Sequence, residues 1–205
     1  MVERLFAKLA AERPTPSTEL NYSSDFELLV AVVLSAQATD VAVNRATKRL
    51  FAAAGSAQEM VALGVDGIKP FIASIGLYNS KARHLIGLSE RLLAEFDGQV
   101  PNQREALQSL PGVGRKTANV VLNVLFNQPT VAVDTHIFRV ANRMGLAAGA
   151  TPLAVERELL RVVPSQYLLH AHHWLILHGR YTCTARKPRC QHCTVYEECQ
   201  WPEKG

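Results

Sequence analysis

Apolar residues along this chain recur mostly every three or four positions, the period of helices that turn one face to a core. The opening stretch Met-Val-Glu-Arg-Leu-Phe-Ala-Lys mixes charged and apolar residues in the manner of an amphipathic helix. Ser24-Asp-Phe-Glu27 has the form of a capping box, with Ser24 accepting from the amide three residues on and Glu27 reaching back. It opens a run over 28–34 that is apolar on nearly all sides, which predicts a central buried helix. Ser56-Ala-Gln-Glu59 repeats the signature. Asn79 or Ser80 is placed to cap a helix running to Phe96, where Asp97-Gly98 and Pro101 stop it. Further helices are predicted over 103–109, 115–126, 135–144, 152–162 and 166–181, separated by short Gly, Pro or Asn punctuation. Val131-Ala-Val is too brief to argue for a sheet, and no period-two hairpin stands out. The fold class expected is all-α.

Composition narrows the setting. With 205 residues, the chain can bury an adequate core as one large domain or two small ones. Hydrophobic residues at 48% and charged residues at 20% are ordinary for a globular protein. The longest apolar stretch, 26–34, contains Glu27 and is too short to span a bilayer. No signal-type apolar region opens the chain, so a reducing interior is expected. No internal repeat, low-complexity tract or long linker appears. The net charge of +4 is a mild bias toward polyanions. Its distribution says more: from 159 to 196 there is no Asp or Glu, while Arg161, Arg180, Arg186, Lys187 and Arg189 are present.

All four cysteines lie near the C-terminus, as Cys183, Cys190, Cys193 and Cys199, spaced C-x6-C-x2-C-x5-C. Two disulfides would suit a small secreted protein; in a reducing interior, clustered thiols read as metal ligands. Four thiolates from one short segment can hold an iron–sulfur cluster or a tetrahedral zinc, and the spacing alone does not decide between them. His192, between two of the thiols, is not expected to coordinate, and His170, His172, His173 and His178 read as packing and hydrogen-bonding residues.

A second motif points to DNA. In Leu110-Pro111-Gly112-Val113-Gly114 the glycines allow a tight turn and close approach to another surface. Amides at the start of the following helix then suit a phosphate, a contact that carries no sequence information. This is the helix–hairpin–helix pattern; a plain connection between helices is the simpler reading of the pentapeptide. Arg115 and Lys116 follow, and Lys116 shares a helical face with Asn119 and Asn123. Lys116 reads as a phosphate contact or, more sharply, as a nucleophile. A nucleophilic lysine needs surroundings that favour the neutral amine, such as a helix start and an apolar pocket. Asp134, after the apolar Thr130-Val-Ala-Val and at a predicted helix start, is a candidate partner; as an N-cap it would need no further role.

LPGVGRKTANVV, VAVDTHIFRV, LSAQATD and the four-cysteine loop together closely resemble the endonuclease III family of base-excision-repair enzymes, over nearly the whole chain. The resemblance implies removal of oxidised pyrimidines from duplex DNA, with Lys116 attacking the sugar and forming a Schiff base, followed by β-elimination at the abasic site. Asp134 would activate Lys116 and stabilise the cationic sugar. Gln37 and Leu77 match the residues that fill the gap left by an extruded nucleotide. Read alone, Gln37 is a solvated polar residue and Leu77 a core one. Asp40 matches a base-pocket position and could equally cap a helix. Gly112, Gly114, Arg115, Thr117 and His136 fall in the DNA-binding set, with His136 equally a satisfied helix histidine. The four cysteines would ligate a [4Fe–4S] cluster, and the loop between the first two would present Arg186, Lys187 and Arg189 to the DNA backbone. The architecture implied is two helical lobes with a DNA cleft between them. One is a six-helix barrel over 18–128 containing the helix–hairpin–helix motif; the other joins 1–17 to 129–205 and carries the cluster. A monomer acting on double-stranded DNA in the cytoplasm, associated with the nucleoid, is the setting implied. Two rivals remain: a mismatch glycosylase of the same fold, which lacks the lysine, and a non-catalytic DNA-binding module that senses redox state.

Overall fold

The structure, a computed structural model, describes residues 1–204. Among the described residues the regular structure is helical, with no β-strand. The helices are α1 Val2–Glu12, α2 Asp25–Leu34, α3 Asp40–Ala53, α4 Ala57–Ile72, α5 Tyr78–Glu95, α6 Arg104–Ser109, α7 Arg115–Phe126, α8 Thr135–Arg143, α9 Pro152–Val162 and α10 Ser165–Tyr181. A single 3-10 turn, Cys190–His192, follows. The chain divides into two compact units, one of Met1–Thr18 with everything from Asn127 onward, the other Glu19–Phe126. Among the described residues no helix is long and apolar enough to cross a membrane.

The Glu19–Phe126 unit is built around α2. Every residue from Leu28 to Leu34 is buried, as expected of a run apolar on all sides. Helices α3, α5 and α7 lie against it, and α4 packs along α5. Ser24 Oγ accepts from the Glu27 amide at 3.2 Å, but Glu27 itself accepts from the Ser23 amide. The reciprocal bond to the N-cap is therefore displaced by one residue. The box at Ser56 forms completely, with the Glu59 carboxylate accepting from the Ser56 amide at 3.0 Å. Helix α5 corrects the expected cap at Asn79 or Ser80: it begins at Tyr78 after Leu77, which caps with its backbone alone. Its end matches the prediction, since Asp97 and Gly98 turn left-handed after Phe96 and the Gly98 amide returns to the Leu92 carbonyl.

In the other unit, α8 packs on α10, and α1 also lies against α10. The rings of Phe6, Tyr167 and Trp174 gather within 5.9–6.2 Å of one another, and the Trp174 indole donates to the Arg13 carbonyl at 2.8 Å. N-terminal and C-terminal segments thus share one core, which also includes Ile137, Val140, Val155 and Leu159.

Candidate functional site

The glycine turn joins α6 to α7. Val113 is buried and its amide bonds the Leu110 carbonyl at 3.1 Å, so the turn is anchored from inside. Gly112 has φ +80, and a methyl group there would come within 2.9 Å of His84 Cβ on α5. Only glycine satisfies both demands. Gly114 differs, because nothing lies within 4 Å of the position a Cβ would take. It faces open space at the start of α7, together with exposed Arg115 and Lys116. Thr117 is half-buried beside them.

Exposure of Lys116 corrects one expectation: the apolar pocket is not built around the amine. Helix α7 emerges from the core at its first turn, so only residues further along are covered. Asn119 and Asn123, expected on the lysine's face, are buried instead, and Asn119 Oδ1 accepts from Arg104 Nε at 3.1 Å. That bond pins α6 to α7 and fixes the angle at which the turn presents its amides.

Gln37 and Leu77 occupy two other turns of this unit. Gln37 follows α2 with φ +56, and Leu77 precedes α5 with φ +61 and is 63% exposed. A left-handed backbone costs a residue of this kind about 1–2 kcal/mol, and strain of this sort gathers at working sites. Asp40 is not the cap of α3: Thr39 caps it, accepting from the Ala42 amide at 3.3 Å, and Asp40 lies in the first turn.

In the second unit Asp134 caps α8, its Oδ1 accepting from the amides of His136 at 2.9 Å and Ile137 at 2.8 Å. That bonding fixes the carboxylate against the helix start. His136 is half-buried, its Nδ1 3.3 Å from an Arg139 guanidinium nitrogen. The C-terminal cysteines are all free thiols and line one small pocket, with Met144, His178 and Trp201 among its other walls. The thiols surround a space instead of meeting at a point: among the described residues no three His, Cys, Asp or Glu side chains are placed to hold a single metal ion. Burial pushes the Cys193 thiol up to about 11, a cost that bonding to a cationic centre removes. Arg186, Lys187 and Arg189 are exposed on the loop between the first two thiols. Residues 30–165 match the HhH-GPD superfamily of base excision DNA repair proteins.

The chain belongs to the HhH-GPD superfamily. It is 56% identical to endonuclease III of Rickettsia conorii over 98% of this chain and 96% of that one. Endonuclease III of Escherichia coli K12 is also 56% identical, over 98% and 95% of the two chains. Among solved structures, a trapped endonuclease III–DNA covalent intermediate superimposes with a TM-score of 0.91 at 41% identity, covering 97% of this chain and 94% of the other. A thermostable thymine-DNA glycosylase, 23% identical with a TM-score of 0.85, shares the fold over 100% of this chain and 95% of its own.

Three residues of this HhH-GPD chain shape the cysteine loop without having been singled out in the sequence. Arg143 donates to the Thr184 and Ala185 carbonyls at 2.8 and 2.9 Å and lies 4.3 Å from the Trp201 ring centroid. Arg139 donates to the Cys183 carbonyl at 3.1 Å and the Gly179 carbonyl at 2.7 Å. Lys204 donates to the carbonyls of Tyr196 and Cys199. Main-chain carbonyls as partners leave no trace in a residue pattern, so sequence reading had no signal for them. The histidines pack as expected, with His172, His173 and His178 buried and His170 edge-on to Trp174 at 5.5 Å, but the expected hydrogen bonding is incomplete, since the buried His173 Nδ1 has no partner.

Proposed function

We propose that this protein is a DNA glycosylase with abasic-site lyase activity that removes oxidised pyrimidines from duplex DNA. The observation that carries the reading is Lys116 itself, exposed in the first turn of α7 beside the open Gly114, where a bound duplex would cover it. Its membership in a superfamily where one endonuclease III has been trapped covalently on DNA supports the same reading. The Lys116 amine attacks C1′ as the N-glycosidic bond breaks, and the departing base takes the bonding pair and acquires a proton. The sugar ring opens to an imine on Lys116. Loss of the C2′ proton then expels the 3′ phosphate by β-elimination, and water releases the lysine. An amine is required, because no other nucleophile gives the imine. Asp134 activates Lys116 by drawing off its proton, and as a carboxylate it stabilises the cationic sugar.

Gln37 and Leu77 fill the space left by the extruded nucleotide, with Leu77 wedging between bases and Gln37 bonding the orphaned partner. Asp40 borders the pocket for the damaged base. Gly112, Gly114, Arg115, Thr117 and His136 contact the DNA near the lesion. Cys183, Cys190, Cys193 and Cys199 hold a [4Fe–4S] cluster; soft donors disposed around a space suit a centre larger than one ion. When bound, the cluster supplies a cross-link that stiffens the loop carrying Arg186, Lys187 and Arg189, which grip phosphates. A reducing cytoplasm, with nucleoid DNA as the substrate, is the setting of this reading.

Borohydride reduction during incubation with abasic duplex tests the reading. A covalent adduct is expected with the unaltered protein and none with Lys116→Ala. An adduct that survives the substitution would refute the lysine's role, and no adduct in either would leave a binding module or a monofunctional glycosylase.

A further inference from the structure

Lys81 is a buried cation with no part in the reaction above. It lies one turn into α5 and is 4% exposed. Its ammonium donates to the main-chain carbonyls of Leu34 at 2.9 Å and Ala36 at 2.6 Å. Burial lowers its pKa from the ordinary value, and a buried ammonium persists only where acceptors replace its water. The two carbonyls belong to the last residue of α2 and to the turn beyond it, where helical acceptors go unmet and partial negative charge gathers. Water or a glycine turn can cap a helix end equally well. A lysine buried from a second helix does more, because it joins two places.

Those places are the strained turns. Ala36 immediately precedes Gln37, and the main-chain amide of Lys81 donates to the Leu77 carbonyl at 3.0 Å. One residue therefore grips both, its side chain holding the first turn and its backbone the second. Among the described residues, four that are not glycine have positive φ: Gln37, Leu77, Asp97 and Asn127. Asp and Asn visit that conformation readily, whereas Gln and Leu do not. The two that need outside support stand in the two turns that Lys81 holds, Gln37 next to the bonded Ala36 carbonyl and Leu77 through its own.

We infer that Lys81 is a positioning residue that ties the Gln37 turn to the Leu77 turn, so that both side chains enter the DNA as one preorganised wedge. The role of the wedge rests on the glycosylase reading given above. Rigidity matters because ordering two loose turns on binding would consume energy otherwise available to unstack a nucleotide.

Lys81→Met keeps the length of the stem and removes every donor. Three readouts separate positioning from folding: fluorescence of 2-aminopurine opposite an uncleavable abasic analogue in a saturated duplex complex, single-turnover base removal from a lesion duplex, and borohydride trapping on single-stranded abasic DNA, which has no stacked partner to displace. The binding-induced fluorescence should fall severalfold and duplex excision about tenfold or more, the scale expected of small misplacements. Trapping on the single strand should stay within about twofold, since the Lys116 chemistry is untouched. Lys81→Arg should recover part of the excision, and adding Lys81→Met to Leu77→Ala should cost little more than Leu77→Ala alone. If Lys81→Met does not fold, Lys81→Gln, with a shorter, uncharged amide side chain, makes the same comparison. Unchanged duplex readouts, or equal losses on both substrates, would overturn the tie. Should the unaltered protein excise nothing, the glycosylase reading falls, and the fluorescence arm, which needs no catalysis, still decides the role of Lys81.

Discussion

Two glycines two residues apart in one turn should respond to alanine in opposite ways. At Gly112 the new methyl meets His84 Cβ at 2.9 Å and Cγ at 3.0 Å, with φ fixed at +80. The obstructing carbon is His84 Cβ, which no side-chain rotation can move, so one of the two backbones has to shift. Left-handed backbone costs alanine about 1–2 kcal/mol, and forcing an extra carbon into a packed contact costs about 1–3 kcal/mol more. Gly112→Ala should therefore lose roughly 2–5 kcal/mol, equivalent at about 2–4 °C per kcal/mol to a fall of roughly 4–20 °C in the unfolding midpoint for a chain this size.

Gly114→Ala meets nothing within 4 Å and carries no left-handed φ, so its stability should change by no more than about 0.5 kcal/mol. Its effect should appear in binding. A methyl on the open face of the turn holds a phosphate off the amides of α7, and affinity for undamaged duplex should fall about tenfold, the loss of one or two good hydrogen bonds. The assays are thermal unfolding followed by circular dichroism and fluorescence anisotropy with a labelled duplex at fixed salt. If Gly112→Ala unfolds with the unaltered protein, or Gly114→Ala destabilises while binding normally, the division of labour between the glycines is wrong.

Three further outcomes are expected. Burial pushes His173 down to about 4 from an ordinary 6.5; between those values the unfolded chain holds the proton and the folded one does not, so stability declines as pH drops through that window. At pH 5 the loss is about 2 kcal/mol relative to pH 7.5, and a denaturant midpoint that His173→Gln leaves equally pH-dependent would refute the assignment. Asp134→Asn should keep the cap within about 0.5 kcal/mol while Asp134→Ala loses about 1 kcal/mol; both should abolish most base excision, and an active Asp134→Asn would show that only the cap matters. Replacing Arg186, Lys187 and Arg189 by alanine should flatten the dependence of log Kd on log salt by about 0.9 per lost phosphate contact, checked by anisotropy between 50 and 200 mM salt; an unchanged slope places those residues away from the DNA.

Elements whose signals are local were legible in the sequence. The bounds of α7 and α9 match the prediction residue for residue, and the caps at Ser24, Ser56 and Asp134 form. Helix α3 went unpredicted because its buried Val43, Ala46 and Leu50 are diluted by Asn44, Arg45, Lys48 and Arg49. The length of α4 was hidden by Gly64, where the backbone leaves helical geometry, and by Pro70 inside the span. The site was legible where chemistry demands a residue type: a glycine turn followed by a lysine, an aspartate at a helix start, four thiols in a row. It was not legible where position depends on what lies opposite. Nothing in the pattern around Lys116 distinguishes the exposed first turn of α7 from the buried face that Asn119 occupies one turn later.

The left-handed turns at Gln37 and Leu77 make the same point more sharply. A sequence reports glycine where positive φ is cheap, as at Gly112, and so announces the turns that cost nothing. It is silent where an ordinary side chain is held in that conformation, because the support comes from elsewhere in the fold. For Gln37 and Leu77 part of the support is Lys81, which in the string Asn-Ser-Lys-Ala-Arg reads as one more surface cation. If Leu77 is the proposed wedge, replacing it by glycine relaxes its backbone and removes the wedge together, so stability should rise while base extrusion falls. On the proposed reading, strain at an exposed leucine is retained for what the side chain does, and the residue that keeps it there is found from the carbonyls it touches.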